Sequence, residues 1–175
     1  GLVAFDEGQF FPVGRIEATT IIAWKAYLGV HLSHQPFDLQ ISTLRAKLTE
    51  TRLGTTGYFE PFSWLTASVA VYHDLISDGN QRTQFWSGAW LQPGWSFLQF
   101  RFGPVLAGDH MWKEPGPTVT YWRPLWLGAA SFDVGVLGRV GDCVEYFAKA
   151  APVVTTHLDV GWNASASLAI NRCGP

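Results

Sequence analysis

The sequence predicts an all-β fold, an antiparallel sandwich or jelly roll of about eight strands. Three observations predict it. Residues 84–105, QFWSGAWLQPGWSFLQFRFGPV, carry Phe85, Trp86, Trp90, Trp95, Phe97, Phe100 and Phe102, too much ring surface for a loop; Pro93-Gly94 divides them as a hairpin turn would. In the second half of that stretch Leu98, Phe100 and Phe102 alternate with Gln99 and Arg101, the period of a strand with two unlike faces. The run Leu158 to Ile170 alternates throughout, with Leu158, Val160, Trp162, Ala164, Ala166, Leu168 and Ile170 on one side, a spacing no helix produces.

The elements follow in order. Residues 1–19 read as an extended arm or weak first strand. Residues 20–32, TTIIAWKAYLGVH, favour a strand through their β-branched residues and Gly29. Between Phe37 and Leu53 the alternation holds with one phase slip, the mark of a bulge or of two abutting strands. Gly54 to Pro61 reads as a loop, residues 64–73 as a strand, and SDGNQ as a turn around Asp78-Gly79. After the aromatic hairpin comes a Pro/Gly-rich loop containing Asp109-His110. A strand around TVTYWRPLWLG follows, with Pro124 favouring an edge or bulge. SFDVGVLGRV is a further strand, and VEYFAKAAP a helical turn or tail segment. The domain organisation is then an arm (1–19), one β-domain (20–150) and a C-terminal extension or extra strand (151–175).

Composition bounds the function. A chain of 175 residues suits one domain. Hydrophobic residues make up 47% and charged residues 15%, against about 25% charged in ordinary proteins. Apolar surface therefore exceeds the needs of one small core, and association is expected. A net charge of −2 with scattered Lys and Arg argues against a dedicated nucleic-acid binder. Cys143 and Cys173 are too few for a disulfide framework; one bridge between them is an alternative, but two buried thiols in a reducing compartment are expected. The opening GLVAFDEG is acidic where a signal peptide would be basic, and the expectation is either a trimmed chain or a product cut from a longer precursor.

Candidate chemistry is sparse. His31 and His34 fall on opposite faces of a strand without a completing ligand, so no metal is expected. Gly135, Gly138 and Gly141 do not form the phosphate-binding pattern. Asp142 and Glu145 beside Cys143 would raise its pKa, not activate it. Asn163-Ala164-Ser165 matches a glycosylation acceptor by chance within a strand. No catalytic residue and no cofactor are expected. The rings Phe85, Trp86, Trp90, Trp95, Phe97, Phe100, Phe102, Trp112, Trp122 and Trp126 are assigned to core and interface.

Three pieces in order, GWSFLQFRFGP (94–104), HMWKEPGPTVTYW (110–122) and SFDVGVLGRVGD (131–142), resemble the jelly-roll capsid proteins of picorna-like plant viruses, the comovirus, nepovirus and cheravirus group. WLTASVAVYHD (64–74) fits less specifically. The resemblance covers roughly half the chain and implies an eight-stranded antiparallel jelly-roll sandwich of the viral capsid type with extended N- and C-terminal segments. It implies a structural coat protein, cut from a polyprotein, that assembles with sister subunits into an icosahedral pseudo-T=3 shell. Localisation would be the virion, and the host cytoplasm before assembly. Arg45 and Lys47 would face genomic RNA, contributing weakly, and no membrane partner is implied. Two other readings compete: a carbohydrate-binding β-sandwich stacking sugars on Trp112, Trp122 and Trp126, and a small outer-membrane barrel, disfavoured by the lack of a continuous lipid-facing band and of a signal peptide.

Overall fold

The computed structural model describes residues 2–5, 9–37, 46–95, 97–113, 125–141 and 144–170. Its strands are β1 (Leu2–Phe5), β2 (Gln9–Pro12), β3 (Gly14–Ala23), β4 (Ala26–Pro36), β5 (Thr49–Phe62), β6 (Leu65–Ile76), β7 (Gln81–Leu91), β8 (Gly94–Trp95), β9 (Leu98–Met111), β10 (Trp126–Val140), β11 (Val144–Thr155) and β12 (Val160–Ile170). No helix occurs among the described residues. The expectation of an all-β antiparallel fold holds.

The pairing does not give an eight-stranded jelly roll. β1 and β2 form a hairpin of their own, and the rest make a ten-stranded sheet in the order β12-β11-β10-β9-β7-β6-β5-β4-β3, with β8 added to β9. Apart from that short strand, every neighbour is the next strand in sequence. A jelly roll needs Greek-key connections that bring distant strands together; this sheet is a meander.

Several local expectations are corrected. Gly54 to Pro61 is not a loop but the middle of β5. Gly54 serves close approach there: a β-carbon would meet the His31 ring and sit 2.6 Å from Tyr72 Cδ1. VEYFAKAAP is neither helical nor a tail but part of β11. Asp109-His110 lies in β9, not in a loop. Residues 20–32 divide into β3 and β4 around a tight turn in which Lys25 has φ of 59°. Asp78-Gly79 does make the predicted turn: Gly79 has φ of 84°, and the Asn80 N–H donates to Asp78 Oδ1 at 2.9 Å. The phase slip between 37 and 53, and most of the TVTYWRPLWLG stretch, fall largely outside the described residues.

The chain forms two compact units. One comprises Gly1–Gly57, Ala70–Phe85 and Gly108–Leu127; the other comprises Tyr58–Val69, Trp86–Ala107 and Gly128–Pro175. In the first, Phe37, Leu48, Ile76 and Met111 cluster out of solvent next to connections between strands. That plug is the apolar core cluster among the described residues, and it is small for a chain with this much apolar side chain.

Candidate functional site

Because strand residues alternate between faces, the contacts of each unit sort its side chains. In the first unit, Arg15 stands opposite Ser33 and Glu17 opposite His31. His31 packs on Tyr72, with ring centroids 5.2 Å apart. On this same face Gln35 donates to Glu50 at 2.7 Å, and Arg52 donates to Asp74 and to Gln84 Oε1 at 3.1 Å. Arg82 pairs with Asp109. Glu50, Asp74 and Arg82 are buried. Here polar and charged groups pack while satisfying one another, as burial requires.

The second unit repeats the plan. The Arg101 guanidinium lies 4.0 Å over the Trp90 ring, and Trp90 Nε1 donates to Asp133 Oδ2 at 3.3 Å. Lys149 reaches the same carboxylate oxygen at 3.2 Å, and Arg139 pairs with Glu145. Trp86 lies 5.6 Å from Trp90. Arg101 Nε is buried and has no hydrogen-bond partner among the described residues. A shallow concavity of about 380 Å³ lies among Gln99, Leu137, Arg139, Glu145, Phe147 and Ser167, with Gly138, Tyr146 and Ala169.

Among the described residues the opposite faces are largely apolar and exposed. In the first unit Ile16, Ala18 and Thr20 stand opposite Leu32, Val30 and Leu28. Ile16, Val30, Leu32, Leu53, Val71 and Leu75 are exposed. In the second unit the exposed set includes Val69, Phe100, Leu106, Phe132, Val134, Val154 and, in β12, Val160, Trp162, Leu168 and Ile170. Asp74 is 0% exposed while Ile16 is 72% exposed. Every Asp, Glu, Lys and Arg within the described strands has its strand's polar-face parity; Lys25, Lys47, Asp78, Lys113 and Asp159 lie in turns and connections.

Aromatic rings gather in a few clusters, several of them at turns and strand ends. In the first unit His73, Phe85, His110, Trp112 and Trp126 form a chain of ring contacts. His110 lies 5.8 Å from Trp112 and 6.1 Å from Trp126, and Phe85 lies 6.3 Å from Trp126. Trp112 Nε1 donates to Thr83 Oγ1 at 3.2 Å. Lys25 lies over the Trp24 ring at the β3–β4 turn. In the second unit Phe62 stacks on Trp64, centroids 5.0 Å apart, and Trp95 on Phe97 at 5.9 Å, both pairs at turns.

The rings singled out from sequence therefore divide. Trp90 is buried and Trp86 and Phe102 are half-buried, whereas Phe85, Trp95, Phe97, Phe100, Trp112 and Trp126 are exposed. Trp122 and Arg45 lie outside the described residues. Lys47 occupies a turn with φ of 54° instead of a strand face. His31 and His34 do point to opposite faces, His34 meeting Thr51 at 2.9 Å. No group of metal-ligating side chains occurs among the described residues. Sequence reading missed the charged network of Glu50, Arg52, Asp74, Arg82 and Asp109. Its signal was present, since charges within one strand keep to one alternating set, as Glu50, Arg52 and Glu60 do in β5.

No protein-family model matches the sequence, and no curated protein matches it. Among solved structures the chain is similar to a "Bacterial polysaccharide outer membrane secretin", with a TM-score of 0.61 and 14% identity. The match covers 95% of this chain and 72% of that one. At that identity the likeness concerns the fold alone.

Proposed function

We propose that this chain forms part of the wall of an outer-membrane β-barrel that exports polysaccharide, with its apolar face toward lipid and its charged face toward an aqueous lumen. The observation that carries it is the segregation by parity: charged side chains keep to one face, where Glu50, Asp74, Arg82 and Asp133 are buried, while Val, Leu, Ile, Phe and Trp stand exposed on the other. Lipid is the environment in which that order is favourable. Three further features support it. The sheet is a meander with consecutive neighbours, long strands such as the 14-residue β5 exceed the roughly 9–11 residues a tilted crossing needs, and five tryptophans, Trp24, Trp64, Trp95, Trp112 and Trp126, lie at turns or strand ends, where interfacial rings sit. That no helix among the described residues is long and apolar enough to cross a membrane leaves strand crossings open.

The structurally similar secretin is a polysaccharide one, and from it comes the substrate class proposed for this chain. On the polar face cations sit beside anions, Arg52 with Asp74, Arg82 with Asp109, Lys149 with Asp133 and Arg139 with Glu145, which keeps the net field low. Most of these pairs are buried, so what a passing polymer meets is the solvent-reached Arg139–Glu145 pair on a face of low net field, which suits a hydrated polymer that must slide past without being held.

The capsid reading draws on the same exposed apolar surface, which sister subunits would cover instead of lipid. It requires a jelly roll's crossings, so the meander favours the barrel. One experiment separates the two: dilution of the urea-unfolded chain into detergent micelles or lipid vesicles. The barrel reading expects a β-sheet circular-dichroism signal that needs lipid or detergent, and strands protected from protease. A chain that folds equally well in buffer alone and ignores vesicles contradicts it.

A further inference from the structure

Arg101 stands apart from the other arginines of the described strands. Arg15, Arg52, Arg82 and Arg139 each pair with a carboxylate. The Arg101 guanidinium instead lies 4.0 Å over the Trp90 ring and 5.9 Å from the Phe147 ring, with its Nε buried and without a hydrogen-bond partner. The carboxylate that acts on it, Asp133, is already engaged by Trp90 Nε1 at 3.3 Å and by Lys149 Nζ at 3.2 Å. Two cations thus share one anion. Burial pushes the Arg101 pKa down from its ordinary value, with Asp133 and then Tyr58 opposing. A half-buried guanidinium left in that state favours any anion that reaches it.

The ground beside Arg101 is shaped for a sugar. Gln99 shares its parity on β9, and Gln99, Phe147 and Ser167 border the concavity of about 380 Å³. Phe147 stands opposite Leu137 of β10 on one side and Ser167 of β12 on the other, so the hollow runs from β9 to β12. That is three interstrand spacings of about 4.8 Å, room for more than one pyranose. Its volume falls at the small end of ligand sites, roughly 300–1,000 Å³. We propose that Arg101 and this concavity take an acidic segment of the exported polysaccharide, with a hexuronate carboxylate on the Arg101 guanidinium. Phe147 meets a sugar ring, and Gln99 and Ser167 take hydroxyls of that unit and its neighbour. A planar carboxylate matches the two terminal guanidinium nitrogens. The sugar in this assignment rests on the export reading, and its charge rests on Arg101. One such contact, open to solvent, guides a polymer without holding it.

Calorimetric titration of the full chain tests it, in micelles that have already given β-sheet circular dichroism and protease protection. The probes are trigalacturonate, its methyl ester, acetate and inorganic phosphate. Trigalacturonate should bind, and the ester, the same sugars without charge, should bind about tenfold more weakly. Arg101→Gln should cost about tenfold, and Arg101→Lys, which keeps the charge but not the fork, about threefold. Asp133→Asn leaves Trp90 Nε1 an acceptor and removes the competing anion, so it should tighten binding about threefold. If the Arg101 variants do not fold, the ester and Asp133→Asn decide. Ester and acid binding equally would overturn the proposal, as would an Arg101→Gln chain that folds and binds like the unaltered one. Acetate or phosphate binding as tightly as trigalacturonate would mean a bare anion site and overturn the sugar. No binding at all would overturn the site and leave the barrel, which circular dichroism and protease protection report separately. A chain that folds in buffer and ignores vesicles would overturn the barrel, and the same titration in buffer would still decide the site.

Discussion

Asp74 holds Arg52 through two parallel hydrogen bonds, Nε to Oδ1 at 2.7 Å and Nη2 to Oδ2 at 2.9 Å, from a side chain that solvent does not reach. Planar two-point pairing of this kind is among the strongest forms of carboxylate recognition. It ties β5 to β6, and Gln84 of β7 joins it, so three strands share one polar anchor. Breaking one partner leaves the other buried and unpaired. Asp74→Asn should therefore cost about 3–5 kcal/mol of unfolding free energy. The Arg52→Met, Asp74→Leu double variant should recover more than half of that. The exposed Arg15–Glu17 pair is the control: Glu17→Ala should cost below about 1 kcal/mol. Urea titration of the folded chain measures all three.

Ser68 and Val69 are neighbours on β6 with opposite parity, and they should respond oppositely to charge. Val69→Arg puts a guanidinium on the apolar face and should cost about 2–4 kcal/mol near the middle of a bilayer. Ser68→Arg, one residue away, should cost less than half as much. Refolding equilibria in lipid vesicles give both numbers. Equal costs would mean the two faces see the same solvent.

Gly54 marks a close approach of two rings to the backbone of β5. Gly54→Ala should destabilise by about 1–3 kcal/mol, because the new methyl meets the His31 and Tyr72 rings. Tyr72→Leu should relieve part of that loss, and Thr55→Ala, on the other face, should be near neutral. A thermal-unfolding series of these variants tests the coupling.

Trp90 is 3% exposed and sits under Arg101, whereas Trp126 and Trp162 are open on the apolar face. Lipids brominated on their acyl chains should quench Trp162 and spare Trp90. Trp162→Phe should thus lower the quenchable fraction of emission, and Trp90→Phe should raise it.

Much of the local structure was legible in the sequence. Period-2 runs marked β6, the hairpin around Pro93-Gly94, and β12, because alternation is imposed by the pleat itself. Gly54 and Gly57 disguised β5 as a loop, since a glycine that admits a ring looks in sequence like one that turns the chain. Topology was not legible: alternation says which residues share a face but not which strands are neighbours, and a meander accommodates the jelly-roll-like aromatic pieces equally well. Nor does hydropathy alone say which face packs. The rule for proteins in water sends Trp and Phe inward, whereas Arg52, Asp74, Arg82 and Asp109 occupy the packed side here and leave most of the rings outside.

The most direct test of the central claim is a cysteine scan along β6 from Thr66 to Leu75, in the Cys143→Ser, Cys173→Ser background, with each thiol spin-labelled in lipid vesicles. Collision with dissolved oxygen, which concentrates in lipid, should peak at Ala67, Val69, Val71 and His73. Collision with a water-soluble nickel chelate should peak at Thr66, Ser68, Ala70 and Tyr72. Nickel reaching Val69 and Val71 as freely as Ser68 would contradict the account.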